Sequence, residues 1–291
     1  MKASIIENPK IMVKSGLISL STVFIFTTAF SQDDCKTDKY LQGLPAGLEL
    51  KEEIPQRYLM TVVYYNKDIF GNFSDKTQVT GEYTRGFSDG TVKWNNVRIA
   101  ASNQLDGQFP EGEKQEFMEN FRYTPHENMV SESAFEGFPE NNPFDFHYKN
   151  LIWDMMGFEA FAWAFYDSLK LNRSYAPEEL KGKVDLAGSG YFENKNIQLT
   201  LTGITRMNEK VCAVIQFLAM DNPLEAEIEM SGMKISFKGR SHYWGNVLIS
   251  LEDKQIEQAT LYEDVVMKMD IPGMQTDITN TTREIILDKL N

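Results

Sequence analysis

Apolar and polar positions along this chain follow two periods, and a long stretch follows neither. Leu59, Thr61, Val63 and Tyr65 alternate with Met60, Val62 and Tyr64, both sets being largely apolar. Gln78 to Thr84 and Thr91 to Ala100 continue the period of two across the turn cluster Gly86-Phe87-Ser88-Asp89-Gly90. Such alternation between turn signals predicts strands, so residues 56–101 form a β-unit. Residues 183–291 repeat the pattern. Ile197, Leu199 and Leu201 alternate with Gln198, Thr200 and Thr202. Met233, Ile235 and Phe237 alternate with Lys234, Ser236 and Lys238. Val211 to Leu218 is almost wholly apolar, and the segments 255–270 and 276–290 close the chain. Turns are expected at Asp221-Asn222-Pro223, Glu252-Asp253-Lys254 and Pro272-Gly273. Short connections and half-polar faces predict an antiparallel meander with one wetted face.

Between these units the period changes. Leu151, Met155, Phe158, Ala162, Phe165 and Leu169 are spaced 4, 3, 4, 3, 4, an apolar stripe that predicts a helix over 148–172. Ile152, Met156, Trp163 and Tyr166 extend the stripe round most of the circumference, so the helix is read as buried. Residues 102–147 show no period. Over 102–146 they hold ten acids against two bases, four of the ten prolines and seven of the nineteen phenylalanines. Pro110, Pro125, Pro139 and Pro143 exclude a long element there. The phenylalanines predict that the segment packs on the body of the protein.

The chain opens with Lys2, Lys10 and Lys14 against Glu7, then an apolar run from Leu17 to Ala29 and the small residues Ala29 and Ser31 around Phe30. A basic start, a short apolar run and a small-x-small exit describe a secretory signal peptide over 1–31. Thirteen apolar residues are too few to span about 30 Å of hydrocarbon. Residues 32–55 form an N-terminal extension, and the protein is expected to be exported, periplasmic or extracellular, with no membrane span in the mature chain. Its two cysteines, Cys35 and Cys212, could pair in an oxidising compartment; equally, Cys212 reads as a small core residue of a strand. Sequons at Asn72, Asn172 and Asn280 matter only in a host that glycosylates exported proteins.

Composition narrows the function. The 291 residues carry a formal charge of −13, with a pI near 4.8, and removing 1–31 makes the chain more acidic still. Nucleic acid is therefore not an expected partner, since such binding needs a basic footprint. The sequence lacks GxxxxGK[ST], GxGxxG, GxSxG, HExxH and CxxC, and His126, His147 and His242 are isolated, so no cofactor or metal is expected. Asp154 and Glu159 tempt as a glycosidase-type carboxylate pair, but at 100° per residue they point about 140° apart on one helix. Six of the fourteen methionines lie in 220–274. Soft sulfur suits Cu(I), yet no His or Cys accompanies the cluster, and filling of an irregular apolar space is the simpler reading. Trp94-Asn95-Asn96-Val97-Arg98-Ile99 also echoes Trp244-Gly245-Asn246-Val247-Leu248-Ile249, as two related β-units would.

Together these elements predict a mainly β (α+β) fold, a curved antiparallel sheet or half-barrel meander packed against one long apolar helix, with 56–291 as one domain. The signal peptide, the C-terminal meander and the apolar helix resemble lipoprotein-carrier-like proteins of the bacterial envelope. That resemblance implies a half-barrel holding acyl chains against helices; it rests on no motif and assigns no residue. The leading expectation is a non-enzymatic exported protein that binds a hydrophobic small molecule or lipid between sheet and helix. Met155, Phe158, Phe165, Met233, Phe237, Met267 and Met269 are the candidate lining. The alternatives are an envelope interaction protein that meets a protein partner through 102–147, and a carboxylate-based hydrolase.

Overall fold

The period-two segments become strands of one open antiparallel sheet in the computed structural model, which describes residues 54–290 except 140, 141, 143, 231 and 232. The signal peptide, nearly all of the extension 32–55, and Cys35 lie outside the described residues. The strands are β1 (Gln56–Asp68), β2 (Phe73–Arg85), β3 (Val92–Ser102), β4 (Glu113–Lys114), β5 (Phe121–Tyr123), β6 (Ser174–Tyr175), β7 (Gly182–Asp185), β8 (Gly190–Asn194), β9 (Asn196–Met207), β10 (Lys210–Met230), β11 (Met233–Ser250), β12 (Ile256–Asp270) and β13 (Asp277–Leu290). Their order is β4-β3-β2-β1-β13-β12-β11-β10-β8-β7, with β9 also on β10, β6 on β9 and β5 on β3. First and last long strands are neighbours, with Tyr64 opposite Arg283, so the two predicted β-units are halves of a single sheet.

The turn expected at Asp221-Asn222-Pro223 is instead a bulge inside the 21-residue strand β10. Pro223 is tolerated there because β10 changes neighbours at that point. Its pairing with β9 ends at Met220 and that with β8 starts at Leu224, so no ladder bond is lost. Asn222 fills the gap, accepting from Lys195 N (3.2 Å) and donating to Ser241 O (3.2 Å). Two residues of β10, Met220 and Asp221, oppose one of β11, His242, since Ala219 faces Tyr243 and Asn222 faces Ser241. The extra residue reverses parity. Ala213, Ile215 and Phe217 point to the covered face before it; Leu224, Ala226 and Ile228 do so after it.

The helix α1 (Asp145–Glu159) starts three residues earlier than the spacing predicts, continues as a wider π-turn over Ala160–Ala164, and gives way to a 3-10 turn at Tyr166–Ser168. Phe165 and Leu169, the last two positions of the predicted stripe, are therefore outside the helix. Leu151, Ile152, Met155, Phe158 and Ala162 are fully buried. Glu159 accepts from Tyr83 Oη on β2 (2.7 Å), while Phe161 stacks on Phe217 of β10 with centroids 4.6 Å apart. Five strand intervals separate β2 from β10, about 24 Å on a flat sheet. One turn of a helix reaches both because the sheet curves round it. Gly245 permits the closest packing: a Cβ there would lie 1.9 Å from Thr260 O and 2.6 Å from the Phe217 ring.

The acidic segment is ordered on the body through its aromatic rings. Phe117, Phe121, Phe135 and Phe138 meet edge to face, at centroid separations of 5.0 to 5.2 Å, and Phe117 meets Tyr148 of α1 at 5.1 Å. Edge-to-face packing of this kind adds about 0.5–1.5 kcal/mol per pair beyond burial. The echo between the two β-units does not extend to structure. Trp94 is fully buried, whereas Trp244 faces outward, and Asn96, with φ +51°, sits at a bulge that separates Trp94 from Val97.

Candidate functional site

Two regions of the covered face differ in chemistry. Under the helix lies a buried ionic cluster. Arg283 of β13 pairs through Nη2 with Asp154 of α1 and through Nη1 with Glu263 of β12. Ser241 Oγ also donates to Glu263, and the Tyr64 ring lies 5.1 Å from the guanidinium. Register explains the assembly, for Tyr64, Arg283, Glu263 and Tyr243 occupy one row across β1, β13, β12 and β11. Burial pushes the Asp154 carboxyl up to about 6, against the pull of Arg283, with Glu263 adding to the rise. Beside it, His147 packs on Tyr64 at 4.3 Å; burial and then Arg283 push its imidazole down to about 4. Two carboxylates already bound to a shared guanidinium form a structural clamp. Glu159, by contrast, joins Tyr83 and Arg85, whose guanidinium lies 4.0 Å over the Trp163 ring. Asp154 and Glu159 are thus held in different clusters.

Beyond the clamp the same face continues as a half-buried apolar trough. Leu224, Ile228, Phe237, Met267 and Met269 are half-buried there, over a buried Ile235. Phe237 lies opposite Met269, Gly239 opposite Met267 and Ile228 opposite Ile235. Phe192 of β8 faces Leu224 and meets Tyr243 at 6.3 Å, joining the trough to the core. Hydrogen bonds build a side wall. Trp153 Nε1 donates to Met129 O (3.0 Å), Ala187 N to Val130 O (2.9 Å) and Glu227 N to Ser189 O (2.7 Å).

The candidate lining residues fall in separate places. Met155 and Phe158 are on the sheet-facing side of the helix, fully buried, with Phe158 6.3 Å from Phe217. Phe237, Met267 and Met269 share the trough. Met267 lies four residues along β12 from Glu263, about 13 Å from the clamp. Met233 is exposed at the start of β11, and Phe165 packs at 6.0 Å on Tyr175, beyond the helix. Leu224 and Ile228 escape sequence reading because Pro223 imitates a turn; the unbroken alternation after it was the available signal. Arg283 escapes as one base in a polar run.

A surface cleft of about 220 Å³ opens elsewhere, between Arg85, Phe87, Pro125, Glu159 and Trp163. Its charged lining differs from the trough. Cys212 is buried in β10, and its candidate partner Cys35 is outside the described residues. Among the described residues no group of three or more His, Cys, Asp or Glu side chains is placed to hold a metal ion, and no helix is long and apolar enough to cross a membrane.

No protein-family model matches this chain, and neither does any curated protein. Among solved structures it is similar to a lipovitellin described for its lipid–protein interactions, at 10% identity and a TM-score of 0.45, over 84% of this chain and 26% of that one. The chain thus spans about a quarter of the lipovitellin's length. It is also similar to an AttH-like protein from Nitrosomonas europaea, at 6% identity and a TM-score of 0.16, over 78% of this chain and 92% of the other.

Proposed function

We propose that this protein is a non-enzymatic, exported binder of an apolar, lipid-like molecule, held in the trough beyond the helix. One observation carries the reading: the half-buried apolar row of β10, β11 and β12 on the face where the helix and side wall stop. The space directly under the helix is filled by Met155, Phe158 and Phe217, which moves the ligand away from the sheet–helix contact itself. From Ile235 to Gly239 the trough runs about 13 Å along the strands, enough for much of an acyl chain. Each buried methylene supplies about 0.8 kcal/mol, so ten give roughly 8 kcal/mol before the costs of association. Methionine suits such a wall because its thioether arm adapts to ligands of different shape. The basic, apolar, small-residue start of the chain supports action outside the cytoplasm.

Titration with cis-parinaric acid, a fluorescent fatty acid, tests this reading. A saturable rise in emission is expected, with affinity reduced at least about tenfold by Phe237→Asp or Met267→Asp, which place a charge in the trough. No saturable rise, or binding indifferent to both substitutions, contradicts it.

A further inference from the structure

At one end of the sheet the hairpin tips carry side chains that the packing does not use. Phe70 and Met274 are the two most exposed large apolar side chains among the described residues, at 83% and 67%, and Ile69 beside Phe70 is 55% exposed. Ile69 and Phe70 form the β1–β2 tip, Met274 lies in the β12–β13 tip, and the exposed Met233 opens β11 at the same end. Strands β2, β1, β13 and β12 are consecutive neighbours, so the first two tips stand about 10 Å apart, two strand spacings. Turns at the other end of β10, β11 and β12, Asn208-Glu209 and Glu252-Asp253-Lys254, are polar. The apolar tips also bond their own backbone. Asp68 accepts from the amides of Phe70 (2.8 Å), Gly71 (3.0 Å) and Asn72 (2.9 Å). Met274 N donates to Ile271 O (3.1 Å) across a turn in which Pro272 has no amide proton and Gly273, at φ +80°, takes the left-handed position.

We propose that these tips dock the protein on a zwitterionic phospholipid bilayer, with Phe70 and Met274 entering the lipid interface. Shape favours lipid over another protein. The tips are convex and separate, whereas a stable protein interface needs continuous complementary surface on the order of 1,000 Å²; a bilayer moulds itself round isolated projections. The bonded turn amides point the same way, since no water replaces a missing partner inside lipid. Charge selects the headgroup. Asp68, Asp270 and Asp277 flank the tips together with Lys67 and Lys268, and Asp270 already holds Lys268 (2.7 Å). That margin suits the outward ammonium of phosphatidylcholine or phosphatidylethanolamine, while a chain of charge −13 is repelled by an anionic surface. A second copy of the chain would set the same carboxylates against one another. Met269, on the trough floor, is one residue from the end of β12, so a ligand leaving along that floor would meet the membrane. Docking itself does not depend on the trough holding a ligand.

Flotation of the protein, purified from its own host, with phosphatidylcholine vesicles tests the proposal, with vesicles containing phosphatidylglycerol as the anionic comparison. Co-flotation with phosphatidylcholine is expected, and weaker co-flotation as phosphatidylglycerol is added. Phe70→Ser and Met274→Ser should each weaken it about tenfold, and the two together should abolish it. In Phe70→Trp, vesicles should shift the new indole emission to the blue, and brominated phosphatidylcholine should quench it. Both positions are solvent-exposed, and unchanged circular dichroism and melting confirm that the variants fold. No co-flotation with phosphatidylcholine overturns the proposal, as does co-flotation that survives the double substitution or strengthens with phosphatidylglycerol. Self-association that Phe70→Ser removes, in place of vesicle binding, also overturns it. Phe237→Asp in the trough should leave co-flotation unchanged, and Phe70→Ser should leave binding of cis-parinaric acid unchanged, so the membrane inference and the apolar-ligand reading fail separately.

Discussion

Asp154 on α1 and Arg283 on β13 form the ion pair that fixes helix to sheet, and Arg283 holds Glu263 with its other terminal nitrogen. Removing the shared cation leaves two buried carboxylates facing one another. Arg283→Met is therefore expected to cost about 3–5 kcal/mol, and Asp154→Ala less, because Arg283 then keeps Glu263. Urea unfolding of the two variants gives that order; equal losses would mean the two carboxylates do not share one guanidinium.

The clamp and its neighbour make opposite contributions to acid stability. Asp154 has its folded pKa raised from 3.8 to about 6, so its contribution is present below about pH 4 and lost as pH rises through 6. His147 has its folded pKa lowered from 6.5 to about 4, so its contribution is present above pH 6.5 and lost as pH falls through 4. Each is on the order of 3 kcal/mol, and between pH 4 and 6 they largely cancel. Asp154→Asn should expose the histidine, giving stability that falls on acidification from pH 6.5. His147→Gln should expose the carboxyl, giving stability that rises over the same range. Chemical unfolding at closely spaced pH values reads both slopes, and like signs in the two variants would contradict the assignment.

Gly245 and Phe217 test the packing of sheet against helix. Phe217→Ala opens a void among Phe158, Phe161 and Tyr243, at a cost of about 3–5 kcal/mol. Gly245→Ala adds one methyl where Thr260 O and the Phe217 ring leave no room, and should cost about 1–3 kcal/mol. In the double variant the smaller ring position relieves part of that clash, so the losses should add to less than their sum. Additive losses would show that the two residues do not meet.

The long strands were legible because period two persists through them: 256–270 and 277–290 fall within a residue of the segments read from sequence. The helix was legible by its stripe, but not its end, since apolar spacing continues to Leu169 although the backbone widens at Ala160 and turns away. Pro223 misled because a proline in a central strand is normally excluded, and only a change of neighbours along β10 makes room for it. The candidate site was half legible. Met267, Met269 and Phe237 share the trough, whereas Met155 and Phe158 belong to the packed core, and spacing alone cannot separate a lined space from a filled one. Trp244 gave no signal of facing outward, since its sequence echo, Trp94, faces inward.

Trough and core should also respond differently to one kind of change. Phe237→Asp is expected to leave stability within about 0.5–1 kcal/mol, because the ring is half-exposed. Phe158→Asp, on the buried side of the helix, should prevent folding. Equal damage at both sites, seen in thermal melts, would mean that the trough is packed as tightly as the core.

The most direct test of the apolar site is native mass spectrometry of the protein purified from its own host, before and after organic extraction. The account predicts an added mass of lipid size that extraction removes and that Phe237→Asp or Met267→Asp diminishes. A bare chain mass before extraction, unchanged afterwards and the same in both variants, would contradict it.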